Sequence, residues 1–325
     1  MNVNDKAALT VAIDEFDEFF AAVNHGREPY AWQRALLRQV VTTGRWPDAV
    51  VAPTGAGKSS VLEVHVFAVA MTHAPGWEGA RAPRRLWHVV GRRALVDDMA
   101  SRAEAVFGQL AETTDVPGEA PLSRVAAALR RISPAGQPGS VTTLRGGIAP
   151  ERGWQDDPVS CQVICATPDM AGSRLLFRGY GSTAGMRPRE AGLIAYDSVL
   201  ILDEAHLNRQ LLTTARRVAS LAGESPLAAH VPVLQVVETT ATPAGLAPAQ
   251  TSIGIELSDI RTGAVGEALL RRLDRPKPVH LHLDGPWLVG GTARETTQGA
   301  QEIARMAADA VQAGHTPVGV VMNRV

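Results

Sequence analysis

Lysine is scarce in this chain. Of the 32 basic residues only three are lysines (Lys6, Lys58 and Lys277), leaving 29 arginines, so surface charge is written almost entirely as guanidinium. Net charge is nearly absent too: 32 basic against 33 acidic side chains give -1, with a pI near 6.8. That balance offers no global field to nucleic acid, and any such contact has to come from local patches. Arginine pairs recur at Arg84 and Arg85, Arg92 and Arg93, Arg130 and Arg131, and Arg216 and Arg217, and most such pairs are expected to be solvated faces. Cysteine is limited to Cys161 and Cys165. Two ligands do not make a structural zinc site, and the pair reads as two buried thiols on one strand face in a reducing compartment. Also missing are a basic and apolar leader, since the N-terminus carries Asp5, Asp14, Glu15 and Asp17, and any apolar run of membrane-spanning length. These absences predict a cytoplasmic protein without a membrane partner. No internal repeat in the range of roughly 20 to 50 residues is found.

What is present is a globular composition, 45% hydrophobic and 20% charged over 325 residues, long enough for about two domains. The chain is organised around APTGAGKS at residues 52–59, after apolar Ala49, Val50 and Val51 and before an apolar helical pattern over residues 60–71. Strand, glycine-rich turn and helix follow in the order a phosphate cradle needs. Gly55 and Gly57 let the main chain approach triphosphate oxygens, and the helix start adds a positive dipole end. Lys58 would reach the β and γ phosphates of ATP, and the Ser59 hydroxyl would sit on Mg²⁺. Thr54, Ala56 and Ser60 complete the candidate nucleotide cradle. Ala52 stands where the general pattern has its first glycine, and in so lysine-poor a chain Lys58 looks selected for its compact ammonium.

The second carboxylate-bearing stretch is SVLILDEAH at residues 198–206, a continuous apolar run of the kind a buried parallel strand shows, ending in two acids. Asp203 is where a Walker-B carboxylate would hold Mg²⁺, and Glu204 beside it is placed to orient or deprotonate the attacking water. The alternative is an acidic helix start with Asp203 as its N-cap. His206 is assigned a coupling role, although a lone histidine is more often a packed or surface residue.

Around these two stretches, strands alternate with helices. A helix is expected over residues 7–23, and another from residue 29, carrying Trp32 and Gln33. Gln33 reads either as a reader of an adenine edge through its paired donor and acceptor or as a surface glutamine, and spacing does not choose. Strands are expected at residues 86–90, 141–144, 163–165, 233–237, 253–257, 279–283 and 318–322. A helix opening at Arg93, with Arg92 beside it, would hold backbone phosphates. Further helices are expected over residues 122–132, 207–221 and 298–313. Arg145, Gly146 and Gly147 follow the strand at residues 141–144. Thr167 is placed to cap the helix that Pro168 opens, and residues 182–190 read as a loop. Thr240 and Thr242 lie at a strand's C-terminal edge, where ligands bind in open α/β sheets, or else cap the next turn. His280 and His282 share a strand face.

This alternation implies a doubly wound parallel sheet. In order, APTGAGKS, DEAH at residues 203–206 and TAT at residues 240–242 resemble motifs I, II and III of a superfamily 2 helicase, including the alanine at Ala52. YAWQ ahead of motif I, RRALVDD at residues 92–98 and TPDMAGSRLLFRGYG at residues 167–181 narrow the resemblance to the CRISPR-associated helicase-nuclease of type I interference systems. The resemblance covers about residues 29–243. It implies an α/β, RecA-like P-loop domain with a mostly parallel sheet flanked by helices, spanning residues 1–258 with an N-terminal helical segment over residues 1–48. A linker over residues 259–278 and the start of a second RecA-like domain over residues 279–325 would follow. The same resemblance implies ATP and Mg²⁺ as cofactors, 3′-to-5′ tracking on single-stranded DNA, and loading by a guide-RNA surveillance complex. It carries DNA contacts onto Arg92, Arg93, Arg145, Thr167 and Arg174, and coupling onto His206, Thr240 and Thr242. None of the nine histidines precedes an aspartate, so the His-Asp nuclease of that family is expected outside this chain. VGVVMNRV at the end resembles the opening strand of the second domain, which predicts ATP binding with feeble hydrolysis for residues 1–325. The competing readings are another superfamily 2 translocase and a catalytically silent module that holds DNA or a partner.

Overall fold

The computed structural model describes residues 11–113, 120–148, 153–241, 251–255, 270–271, 293–314 and 318–319. The chain divides into two units, Met1–Asp274 and Arg275–Val325.

The first unit is built on a seven-stranded sheet in the order β3-β4-β2-β5-β6-β1-β7, and every pairing is parallel. The strands are β1 (Ala49–Val51), β2 (Arg85–Val89), β3 (Ser140–Leu144), β4 (Gln162–Ala166), β5 (Ser198–Asp203), β6 (Gln235–Thr240) and β7 (Ser252–Gly254). All five residues of β2 and of β4 are buried, polar Arg85, His88 and Gln162 among them, as befits strands covered on both faces. Helices cover both faces. Along β2 and β5, residues two apart share a face: Leu86, Val199 and Ile201 join one apolar cluster, while Trp87, Val89, Leu200 and Leu202 join the other.

The first cluster packs under α1 (Phe16–Val23), α2 (Ala31–Thr43), α3 (Val61–Thr72), α4 (Arg93–Glu112) and α5 (Pro121–Ile132). Its centre is α3, buried on nearly every side, with Phe67 in edge contact with Phe16. After the short α6 (Gly153–Asp156), the second face takes α7 (Pro168–Leu175), α8 (Arg187–Ala195) and α9 (Arg209–Gly223), and Trp87 meets Trp154 edge-on there at 5.1 Å. The second unit holds α10 (Ala293–Gln312), where Arg305 pairs with Glu302 and Asp309 along the helix.

Several expectations are corrected. The expected loop at residues 182–190 gives way to α8 from Arg187, with Pro188 in its first turn. The strand expected at residues 233–237 runs three residues further, to Thr240, because β1 and β5 flank it and satisfy its backbone. The helix expected from residue 207 begins at Arg209, after a separate turn Ala205–Leu207. Arg84 and Arg85 are not a solvated face: Arg85 is buried, both pair with Asp197, and Arg85 also donates to the carbonyls of Leu193 and Tyr196. Arg130 likewise closes the end of α4 by donating to the carbonyls of Leu110 and Ala111. Cys161 and Cys165 are free, buried and in the same apolar cluster, and burial pushes the Cys165 thiol up to about 12. Thr242, His280, His282 and most of residues 318–322 lie outside the described residues.

Candidate functional site

Every strand from β1 to β6 delivers a candidate residue to one edge of the sheet, the edge at their C-terminal ends. In an open parallel sheet that edge collects helix N-termini and loops, so ligands bind there.

At the end of β1 the chain turns through Gly55 (φ 82°) and Gly57 (φ 77°), both in the left-handed region that glycine occupies without strain. The helix then starts as a tight turn, Lys58–Ser60, before α3. Thr54 and Gly55 are exposed, whereas Ala56 and Ser60 are buried. Lys58 folds back onto its own loop: Nζ donates to the Ala52 carbonyl at 3.2 Å and lies 3.7 Å from Glu204 Oε1.

The loop is held from outside by α2. Trp32 Nε1 donates to the Ala56 carbonyl at 3.2 Å, and Gln33 Nε2 donates to the Gly57 carbonyl at 3.2 Å. The Gln33 Oε1 accepts from the Tyr30 amide at 2.7 Å, closing the first turn of α2. Gln33 is 1% exposed, which removes the surface-glutamine reading; its amide connects a helix start to the phosphate loop. A Cβ on Gly57 would come within 2.8 Å of Gln33 Nε2, whereas one on Gly55 would meet nothing within 4 Å. The tether by Trp32 has no sequence signature, because an indole on an apolar helix face reads as core.

At the end of β5, Asp203 is a strand residue and not a helix cap. Its register partner on β6 is Thr239, whose hydroxyl donates to Asp203 Oδ1 at 2.5 Å. Thr239 was not a sequence candidate; the fully apolar or hydroxylated ends of neighbouring strands become visible as partners only once register is known. Glu204 follows in the left-handed region (φ 47°, ψ 52°), a conformation costing a non-glycine residue roughly 1–2 kcal/mol. There its carboxylate lies between Lys58 and His206, with His206 Nδ1 3.3 Å from Glu204 Oε2. Thr240 pairs with Val51, and its carbonyl accepts from the Ala52 amide at 3.1 Å, so it is joined to the root of the phosphate loop.

Lys58, Ser59, Asp203 and Thr239 line a common cleft of about 420 Å³, which extends under α4 to Leu95, Met99 and Arg102. Arg102 is anchored by Glu63 Oε1 at 2.5 Å and by Asn24 Oδ1 at 3.0 Å. Burial raises the Glu63 pKa, and the Arg102 charge opposes that shift. His88 also lines the cleft; burial lowers its pKa, against the attraction of Asp203.

The arginines and Thr167 divide. Arg92 and Arg93 are exposed at the start of α4. The Arg93 guanidinium lies along Gly146 and Gly147, within 3.1 Å of where a Gly146 Cβ would be. Arg145 is paired with Asp97 at 2.5 Å. Thr167 occupies the N-cap of α7 without a side-chain cap bond, so the expected capping role is not met. Arg174 is corrected outright: it is 1% exposed, donates to the Met170 carbonyl at 2.9 Å and lies 3.6 Å from Glu190, so it braces α7 against α8 and offers nothing to a phosphate backbone.

No family model matches the chain, and no curated protein matches it in sequence. Solved structures similar to it include the yeast DEAD-box splicing factor Prp28, with a TM-score of 0.43 and 15% identity over 77% of this chain and 50% of that one. A Dbp5 variant of S. cerevisiae bound to Nup159, a Gle1 variant, IP6 and ADP has a TM-score of 0.40 and 15% identity over 76% and 53%. A hypothetical ATP-dependent RNA helicase from Sulfolobus tokodaii has a TM-score of 0.39 and 14% identity over 74% and 57%. The chain spans about half the length of these structures. At such identities the likeness concerns the fold alone.

Proposed function

We propose that this chain is the ATP-binding part of a superfamily 2 helicase or translocase of CRISPR interference, in which hydrolysis of Mg²⁺-bound ATP is coupled to tracking along single-stranded DNA supplied by a guide-RNA surveillance complex. The observation that carries the nucleotide-binding part of this reading is the convergence of Lys58, Ser59 and Asp203 on one cleft, with Glu204 3.7 Å from Lys58; the CRISPR and DNA part rests on the resemblance of residues 92–98 and 167–181 alone. The residues fit the ligands. Gly55, at positive φ with nothing within 4 Å of where its Cβ would be, leaves the loop backbone bare toward a phosphate, and the Ser59 hydroxyl and Asp203 carboxylate are the hard oxygen donors that Mg²⁺ takes. Mg²⁺, when bound, neutralises charge on the phosphate oxygens. The chain's own residues supply the rest. Lys58 leaves the Ala52 carbonyl and Glu204 for the phosphates. Glu204, released from Lys58, orients the attacking water and accepts its proton, with His206 next to it as the contact toward the DNA side. Thr239 fixes one carboxylate oxygen of Asp203, and Thr240 ties that response to the phosphate loop.

The test is binding of a fluorescent ATP analogue and of single-stranded DNA, each measured with and without the other. Lys58→Ala is expected to lose nucleotide binding, and ATP is expected to shift DNA affinity reciprocally. Normal nucleotide binding by Lys58→Ala would sink the reading. DNA binding indifferent to ATP would leave a passive binding module, a role compatible with Lys58 being held by Glu204.

A further inference from the structure

The turn that leaves α7 displays apolar side chains to solvent. Leu176, Phe177 and Tyr180 are 58%, 57% and 58% exposed, three large apolar residues within five positions. Single exposed apolar residues are ordinary, whereas a group of them marks a surface that something covers. The backbone beneath them is fixed. The amides of Arg178 and Gly179 both donate to the Ser173 carbonyl, at 2.7 and 3.1 Å, and Phe177 just before them sits in the left-handed region at φ 57°, where a helix end ordinarily has glycine. Under the turn lies buried Glu190, which accepts from the Ser182 hydroxyl at 2.6 Å and from Gln155 Nε2 at 2.7 Å and lies 3.6 Å from Arg174. A Cβ on Gly179 would collide with the same carboxylate. The turn is thus seated on a buried acid at Gly179 and at Ser182, on either side of Tyr180.

Charge says what covers the rings. Over residues 174–190 the only acid is Glu190, buried against Arg174, so the outward charges are arginines alone: Arg178 and Arg189 are exposed and Arg187 is half-buried. Neither Arg178 nor Arg189 pairs with an acid among the described residues; Arg189 donates to the Gln155 carbonyl. In a chain of net charge -1 this is a local excess of cation. An apolar protein partner has no use for guanidinium groups without acids, whereas a single nucleic-acid strand brings a π-face for each ring and a phosphate for each arginine. Resting on the single-stranded DNA part of the proposed function and deepening it, we propose that Phe177 and Tyr180 form a stacking platform for the bases of single-stranded DNA, with Arg178 on its phosphates. The DNA contact expected at buried Arg174 moves to the exposed residues of the turn that follows. The platform reads no sequence, since every base offers a π-face.

The chain of residues 1–325 is titrated, with and without ATP, against fluorescein-labelled oligothymidylate and against an abasic oligomer of the same length, followed by anisotropy. Phe177→Ala and Tyr180→Ala are each expected to weaken oligothymidylate binding by about five- to hundredfold and to leave the abasic oligomer unchanged. Arg178→Ala is expected to weaken both oligomers alike and to reduce the salt dependence. Tyr180→Phe keeps the ring and with it the affinity. Phe177→Gly separates stacking from folding: the left-handed position suits glycine, so the melting temperature is expected to hold while oligothymidylate affinity falls as in Phe177→Ala. Oligothymidylate bound no better than the abasic oligomer, or bound equally well by Phe177→Ala and Tyr180→Ala, overturns the inference; the single-stranded DNA reading then stands and the turn is left to a protein partner. No binding of oligothymidylate, with or without ATP, overturns both.

Discussion

Glu204 carries two constraints at once: a left-handed backbone and a carboxylate shared by Lys58 and His206. Strain of this kind persists only where the surroundings impose it. Glu204→Gln removes the charge that holds Lys58 back while keeping the side chain's shape. Nucleotide binding is expected to be retained or strengthened, and phosphate release to fall by about 10² to 10⁴-fold, as loss of a positioned base does; a fluorescent-nucleotide titration beside a phosphate-release assay checks both. The phosphate loop gives a second comparison. Gly55→Ala and Gly57→Ala each force a Cβ onto positive φ at a cost of roughly 1 kcal/mol, but only the latter also drives it into Gln33 and Tyr30. Urea unfolding should therefore show Gly57→Ala as the less stable of the two, and only Gly57→Ala should unseat the α2 tether. The motif residues were legible in the sequence because glycine, lysine and acid pairs carry their chemistry in their identity. Arg174 was not, because an arginine reads the same whether it meets a phosphate or a buried glutamate.

At the scale of elements, α2 is a clamp. Its first turn holds two successive carbonyls of the phosphate loop through Trp32 and Gln33, so helix packing and loop conformation form one unit. Trp32→Phe keeps most of the buried ring and deletes one hydrogen bond, for an expected loss of about 1 kcal/mol in stability and a measurable weakening of nucleotide binding, read by thermal melting and titration. Trp32→Phe with unchanged nucleotide affinity would show that the clamp is only structural. Helix periodicity located α2 and its buried face, yet it did not reveal which polar atoms of that turn reach across 24 residues of chain. Strand ends behave likewise. The apolar run of β6 stops at Val237, but Glu238, Thr239 and Thr240 remain paired because both neighbouring strands supply partners, and this brings Thr239 to Asp203.

Over the whole first unit, burial also sets the response to acid. Burial lowers the pKa of His65 and of His73 to about 4, so each is neutral in the folded chain down to that pH while the unfolded chain protonates near 6.5. Between those values the unfolded state binds more protons, so stability present above pH 6.5 is lost as pH falls toward 4, by on the order of 3 kcal/mol for each histidine at most. Glu63, with its raised pKa, acts in the opposite sense above the ordinary carboxylate range. Urea midpoints across this window should fall on acidification, and His73→Gln should flatten the fall; a midpoint independent of pH would contradict the burial of both rings. By itself the sequence determined the alternation of strands and helices, the phosphate loop and the paired acids, since each is written in local period or in residue type. The tertiary structure alone decided the strand order, the clamp of α2 on the loop, the hold of Glu204 on Lys58, and the approach of Thr239 to Asp203. Those depend on register between segments far apart in the chain, where a side chain's partner is fixed by which strand lies beside it.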